Sequence, residues 1–169
     1  LEDELNIDRS GSSYIYIAFE HPIPLVPNIK VAHTTLKDSA TGTIDQSFTF
    51  NGDVFTANQT VTSEVDLTHT DVTLYYELLD IGMDLDVGIT GRYFQGGVAV
   101  NSSREDISVL IPMFYGRAKF ALPLTGAYFG GDINYPNYSG NQIADYVIAV
   151  GGDAANFILP AFGIKAGYR

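Results

Sequence analysis

The sequence predicts an all-β protein in which antiparallel strands run up and down in chain order and close into a barrel. Apolar and polar residues alternate with a period of two over most of the chain, which is the period of a β-strand with one apolar face. In the clearest segment Val72 and Leu74 share one face, whereas Asp71 and Thr73 share the other. Helical periodicity is nearly absent, and the β-branched and aromatic residues that suit strands are abundant.

Eight main strands follow from this alternation and from the turn-forming residues that separate the alternating segments. They are expected at about 13–21, 28–37, 65–79, 84–100, 107–122, 126–137, 142–152 and 157–169.

The connections between the strands are expected to be of two lengths. Short connections are expected at 80–83 and 122–126, and longer polar ones at 37–64 and 101–106. Short turns at one end and long loops at the other are typical of bacterial outer-membrane barrels. We therefore expect a single barrel domain over residues 1–169.

A polar hairpin is expected to project from this domain over residues 38–64. Its arms fall near 43–50 and 54–63, and Asn51-Gly52 is a dipeptide that suits a type I′ turn because both residues accept positive φ. Its Thr, Asn, Gln, Asp and Ser residues suit an extension into solvent. The sequence therefore predicts an extended extracellular hairpin that is able to contact a partner outside the cell.

The composition excludes several classes of function. A net charge of −11 without a basic cluster makes nucleic acid an unsuitable partner. Because cysteine is absent, the chain has no disulfide framework and no thiolate zinc site. No run approaches the roughly 20 apolar residues of a membrane helix, so a membrane-spanning form of this chain has to be a closed barrel.

Soluble and membrane barrels share this alternation but differ in which face is outside. A soluble barrel turns its apolar face inward, whereas a membrane barrel turns it outward against lipid. Here the polar strand faces carry charges of both signs, which can pair inside a narrow interior, and the loops are mostly acidic. Charged residues make up only 17 % of the chain, below the roughly 25 % typical of soluble domains. These observations favour a transmembrane β-barrel.

The alternation then assigns residues to the two faces of the barrel wall. The charged cluster in the lumen is expected to contain Glu20, Asp71, Glu77, Asp86, Arg92, Arg117, Lys119 and Lys165. The lipid-facing residues are expected to include Ile15, Ile17, Val72, Leu74, Leu85, Val87 and Ile89. The charged cluster either lines a narrow pore or fills the lumen as a salt-bridged plug, and the plug is favoured because side chains largely fill so narrow a barrel.

Four stretches of the chain carry a resemblance to a known family. They are 18–28 (AFEHPIPLVPN), 67–77 (LTHTDVTLYYE), 112–126 (PMFYGRAKFALPLTG) and 163–169 (GIKAGYR). They resemble a proteobacterial family of porin-like outer-membrane β-barrel proteins without an assigned function. The resemblance implies a Gram-negative outer-membrane location. It also implies a signal peptide and a first strand before Leu1 and a closing strand after Arg169, which would give about ten strands.

No constellation of residues in the sequence points to a reaction. The sequence contains no GxSxG, P-loop or GxGxxG motif, and His21, His33 and His69 lie in no metal-binding motif. His69 and Asp71 share a strand face, where a hydrogen bond at the rim or in the lumen explains them better than catalysis. We therefore predict no catalytic residue, no metal site and no cofactor.

Three functional hypotheses remain from the sequence. The leading one is a non-enzymatic outer-membrane barrel of structural, adhesive or narrow-channel type that contacts outer-membrane lipid. The second is an outer-membrane enzyme that acts on lipid or peptide at the barrel rim, with His69, Asp71 and a nearby Ser or Thr. The third is a soluble ligand-binding barrel with its apolar residues inward.

Overall fold

The fold is all-β and antiparallel, as the alternation predicts. The computed structural model describes residues 7–8, 13–23, 25–80, 82–122, 127–136, 145–154 and 162–168. The strands are Ile7–Asp8 (β1), Ser13–Phe19 (β2), Asn28–Thr35 (β3), Lys37–Thr43 (β4), Phe48–Phe50 (β5), Asp53–Phe55 (β6), Thr60–Asp66 (β7), His69–Asp80 (β8), Met83–Val100 (β9), Ser103–Ala121 (β10), Ala127–Pro136 (β11), Asp145–Ala154 (β12) and Phe162–Tyr168 (β13). Within the described residues, no helix has the length and hydropathy that crossing a membrane requires.

Strands that are consecutive along the chain are mostly neighbours in the sheet. β2 pairs with β3, β3 with β8, and β8 with β9, after which β9 to β13 pair in chain order. β1 pairs with β4, β4 with β7, and β7 with β9, while β5 and β6 form a separate hairpin. Sequential antiparallel pairing of this kind needs only short turns between strands, which agrees with the turn-forming residues of the sequence.

The polar segment 37–64 is largely strand, and its arms β4 and β7 lie next along the chain to β3 and β8. Only Leu36 separates β3 from β4, and the backbone N–H of Leu67 donates to the Leu36 carbonyl at 2.7 Å. β4 and β7 pair in register from Lys37 opposite Asp66 to Thr43 opposite Thr60. The predicted arms near 43–50 and 54–63 are therefore too close to the tip, because the polar, Thr-rich residues of β4 and β7 form strands.

The hairpin tip carries the type I′ turn that its sequence predicts. Asn51 and Gly52 have φ values of 46° and 87°, and they join β5 to β6. Behind the turn, Phe55 packs with Val61 and Val100 in a small apolar core. This core gives the tip a folded structure although most of the surrounding residues are polar.

The predicted long loop at 101–106 is wrong. β9 ends at Val100 and β10 begins at Ser103, so that Asn101 and Ser102 alone make the turn. Asn101 has a φ of 52°, and its Oδ1 accepts the Thr62 N–H at 2.9 Å. A short Asn-containing turn tolerates left-handed backbone, and the polar residues that follow it belong to a solvated strand.

The chain folds into two compact units. The first comprises Leu1–Ile17, Val31–Asp71 and Arg92–Leu110, and the second comprises Ala18–Lys30, Val72–Gly91 and Ile111–Arg169. The first unit contains the polar hairpin and its apolar core. The second contains a charged interior, described below.

A glycine in β9 tests how tightly neighbouring strands approach in the second unit. A Cβ added at Gly88 would lie 2.8 Å from both Cα and Cβ of Tyr75, whereas one added at Gly42 meets nothing within 4 Å. We expect Gly88→Ala to lower the free energy of unfolding by about 1–3 kcal/mol through overpacking. Gly42→Ala is the matched control and is expected to have little effect. Urea unfolding followed by far-UV circular dichroism measures both, and equal effects of the two variants would contradict the packing described.

Candidate functional site

Outside the apolar core of the hairpin tip, burial in several strands, most clearly β3, β8 and the first half of β9, is inverted relative to a water-soluble domain. Asp86 and Arg92 are only 1 % and 3 % exposed, whereas Ile17 and Ile89 are 74 % and 60 % exposed. The inversion follows the strand alternation, since residues with polar side chains are buried and their apolar neighbours are not. Soluble proteins rarely bury charged groups and rarely expose so many large apolar side chains.

Arg117 is at the centre of the charged interior of the second unit. Its Nη1 donates to Asp86 Oδ2 at 3.2 Å and lies 4.0 Å from Glu20 Oε1, and its Nε lies 3.9 Å from Asp132 Oδ1. Asp86 is on β9, Asp132 is directly opposite Arg117 on β11, and Glu20 follows β2. One guanidinium therefore faces carboxylates from three other parts of the sheet.

Lys30 shows that the sheet is curled within the second unit. Its Nζ donates to Tyr115 Oη at 2.9 Å and lies 3.9 Å from Asp132 Oδ2. β8, β9 and β10 lie between β3 and β11 in the strand order, so a flat sheet would separate these two strands by about 19 Å. One lysine side chain cannot span that distance, and the strands must therefore bend around the charged groups.

Neutral polar side chains complete this interior. Tyr75 Oη donates to Glu20 Oε1 at 2.7 Å, and the Tyr75 and Tyr115 rings meet at a tilt with centroids 5.8 Å apart. The hydroxyls of Thr73 and Thr90 are 2.8 Å apart, and Thr90 donates to Asn134 Oδ1 at 2.9 Å. Buried hydroxyls need such partners, because an unsatisfied polar group away from water is costly.

Two further cations of the cluster have defined partners. Lys119 Nζ lies 3.5 Å from Asp84 Oδ2 and 4.6 Å from the centre of the Tyr128 ring. In the first unit, Arg92 donates from Nε and Nη2 to the two oxygens of Asp71 at 2.8 and 2.7 Å. A two-point guanidinium–carboxylate pair of this kind is the strongest ionic hydrogen-bond arrangement that side chains make.

The structure brings most of the sequence-predicted lumen cluster into ionic contacts. Glu20, Asp86 and Arg117 meet in one group, Asp71 pairs with Arg92, and Lys119 pairs with Asp84. Glu77 is exposed, and the side chain of Lys165 lies outside the described residues. Of the residues predicted to face lipid, Leu85 is half-buried, and those exposed are Ile15, Ile17, Val72, Leu74, Val87 and Ile89.

Sequence reasoning missed several members of the interior. The predicted charged cluster does not include Lys30 and Asp132, which contact the central group, or the tyrosines Tyr75 and Tyr115, which contact Glu20 and Lys30. A signal existed for Asp132, because Arg117 and Asp132 lie at nearly equal distances, seven and eight residues, from the middle of the 122–126 connection. Positions related in this way become opposite neighbours in a hairpin.

Asp71 does not orient His69 in the way that the enzyme hypothesis requires. Both carboxylate oxygens of Asp71 bind Arg92, and His69 Nδ1 lies 2.7 Å from the Leu67 carbonyl oxygen. His33 Nδ1 lies 3.1 Å from Thr70 Oγ1, on an exposed face. Across the described part of the chain, no group of three or more His, Asp or Glu side chains is arranged to hold a metal ion.

A shallow groove of about 250 Å³ lies in the first unit, where β4 and β7 meet. Its charged lining residues are Lys37, Asp38, Glu64, Asp66 and Arg104. Burial raises the pKa of the Asp66 carboxyl, but hydrogen bonds from Thr68 and Lys37 outweigh burial and hold that pKa below its ordinary value. Asp66 thus stays ionised and paired with Lys37, whose Nζ is 3.0 Å away.

No known protein family, characterised protein or solved structure matches this chain in comparisons of sequence and structure.

The Arg92–Asp71 pair tests how much the buried charges contribute to stability. We expect Arg92→Ala to lower the free energy of unfolding by about 3–5 kcal/mol, because it leaves the Asp71 carboxylate buried and unpaired. Arg104→Ala is the matched control, since Arg104 Nε is also 2.7 Å from its partner Asp106, but both side chains are exposed. Water and salt screen that pair, so little change is expected. Similar losses in chemical denaturation for the two variants would contradict the account.

Proposed function

We propose that this chain forms a transmembrane β-barrel of a bacterial outer membrane, with lipid against its outer face and a charged interior filled by side chains. The observation that carries the proposal is the inverted burial of the strands. In water, exposed residues such as Ile17 and Ile89 would lose the free energy that burial of apolar surface provides. Against lipid the same residues are favourably placed, and the buried ions beside them are paired.

The lengths of the strands support the same proposal. A strand tilted across a bilayer needs about 9–11 residues, and β8, β9, β10 and β11 contain 12, 18, 19 and 10. Closure into a barrel would satisfy the backbone groups at the sheet edges, which lipid cannot do. The excess length of β9 and β10, with the polar β4–β7 hairpin, then forms an extension outside the membrane.

The contacts inside the second unit favour a plugged barrel over an open pore. Arg117 and Lys30 reach carboxylates and a tyrosine on other strands, so that their side chains cross the interior. A structural or adhesive role therefore fits better than transport. The adhesive surface would be the 38–64 hairpin, which carries Asp and Glu but no Lys or Arg.

The two rival hypotheses have less support. A soluble ligand-binding barrel would enclose Val72, Leu74 and Val87, all of which are exposed. A rim enzyme would need a histidine base that lies beside a hydroxyl nucleophile and is oriented by a carboxylate. His33 lies beside Thr70, but within the described residues no carboxylate contacts His33.

Planar-bilayer recording of the purified protein tests the proposal. The native chain is expected to insert stably and to show no discrete conductance, because side chains fill its lumen. Arg117→Ala leaves Glu20, Asp86 and Asp132 without their shared cation, so we expect hydrated carboxylates to repel one another and a cation-preferring conductance to appear.

Arg104→Ala is the control, because it removes an exposed cation that does not contact the central group. Far-UV circular dichroism verifies that both variants are folded. Discrete conductance of the native protein would contradict the plug, and a monodisperse protein that is stable without detergent and does not insert would contradict the membrane location.

A further inference from the structure

The turn between β2 and β3 exposes large apolar side chains. Ile23, Leu25 and Val26 are 60 %, 91 % and 48 % exposed. No Asp, Glu, Lys or Arg occurs from His21 to Ile29. A turn with this composition is poorly suited to water, where connecting loops are usually polar.

Leu25 also has a backbone conformation that leucine rarely adopts. Its φ is 68°, in the left-handed region where the Cβ of an L-residue is crowded and where Gly or Asn is normally found. The side chain gains no packing in return, because it is the most exposed of the large apolar residues that the structure describes. Strained and exposed residues of this kind cluster where a contact with another molecule compensates for the strain.

Hydrogen bonds from His21 fix the shape of the turn. The His21 backbone N–H donates to Asn28 Oδ1 at 3.1 Å, and the imidazole Nδ1 accepts the Ile23 N–H at 3.2 Å. The other ring nitrogen, Nε2, lies 3.3 Å from the Pro27 carbonyl oxygen, to which it can donate when it carries the proton. The apolar side chains are therefore presented on a defined scaffold.

Tyr76 places the turn on the outer side of the sheet. It alternates with buried Tyr75 and shares the outward face of β8 with Leu74 and Leu78, which are exposed. Its hydroxyl donates to the Leu25 carbonyl at 3.0 Å. The turn thus continues the exposed apolar face and does not cover the charged interior.

We propose that the described residues of this turn, 21–23 and 25–27, form a membrane anchor that inserts Leu25 and Ile23 into the boundary between the headgroups and acyl chains of one leaflet. This inference rests on the proposed transmembrane location and adds a specific lipid contact to it. Insertion removes the apolar side chains from water, while the Tyr76 hydroxyl and the turn carbonyls remain at the polar boundary. The anchor would fix the depth of the strands in the bilayer.

Tryptophan quenching by brominated lipid tests the anchor. The chain contains no tryptophan, so each variant carries a single reporter. Leu25→Trp is the test variant and Ile23→Trp is a second reporter that leaves the strained position unchanged. Ile89→Trp reports on the proposed lipid face, and Val54→Trp on the hairpin tip. Each is folded into vesicles whose lipids carry bromine either near the headgroup or near the chain end.

The anchor predicts severalfold stronger quenching of Leu25→Trp and Ile23→Trp by the shallow bromine than by the deep one. Ile89→Trp is expected to show the reverse order, and Val54→Trp little quenching by either. Quenching of Ile89→Trp without quenching at positions 23 and 25 would overturn the anchor but not the proposed barrel. A protein partner would then be the alternative molecule that covers the turn. Absence of quenching at Ile89 as well would overturn both proposals.

Discussion

The rest of the structure depends on the contacts of Arg117 with Glu20, Asp86 and Asp132. The half-buried guanidinium of Arg117 needs carboxylates to compensate for the hydration that it loses, and the carboxylates grouped around it need a cation. Asp86 and Asp132 are on β9 and β11, the strands next to Arg117 on β10, whereas Glu20 follows β2 and reaches Arg117 only because the strands curl. Curvature of the sheet therefore adds a third carboxylate to the group. Because strand residues alternate, burial of the charged face also leaves the apolar face outside.

Much of the fold could be predicted from the period-two alternation and the turn residues. The eight predicted strands correspond to β2, β3 and β8 to β13, and Asn51-Gly52 forms the expected turn. The errors have one cause: polar composition predicts loops, whereas here polar residues also form strands. The threonines of β4 and β7 and the residues after Asn101 are polar, yet they form strands. Thr41 and Thr62, for example, pair across these strands through hydroxyls 2.9 Å apart.

The candidate site divides into a part that sequence can predict and a part that it cannot. Asp71 and Arg92 lie equally far from the connection between β8 and β9. Asp86 and Arg117 lie equally far from the Asn101-Ser102 turn. The symmetry of a hairpin therefore brings each pair together. The contacts of Lys30 with Tyr115 and of Glu20 with Tyr75 follow no such local rule. They depend on how far the sheet bends, which is a collective property of all its strands and their side chains.

The central claim is that the exposed apolar face of the strands contacts lipid, and a nitroxide accessibility scan tests it most directly. The chain has no cysteine, so a spin label can be attached at single introduced cysteines in the vesicle-bound protein. The account predicts that labels at Val87 and Ile89 collide readily with oxygen and poorly with a water-soluble nickel complex. Labels at Thr73 and Thr90 should be shielded from both. High nickel accessibility at Val87 and Ile89 would place that face in water and contradict the account.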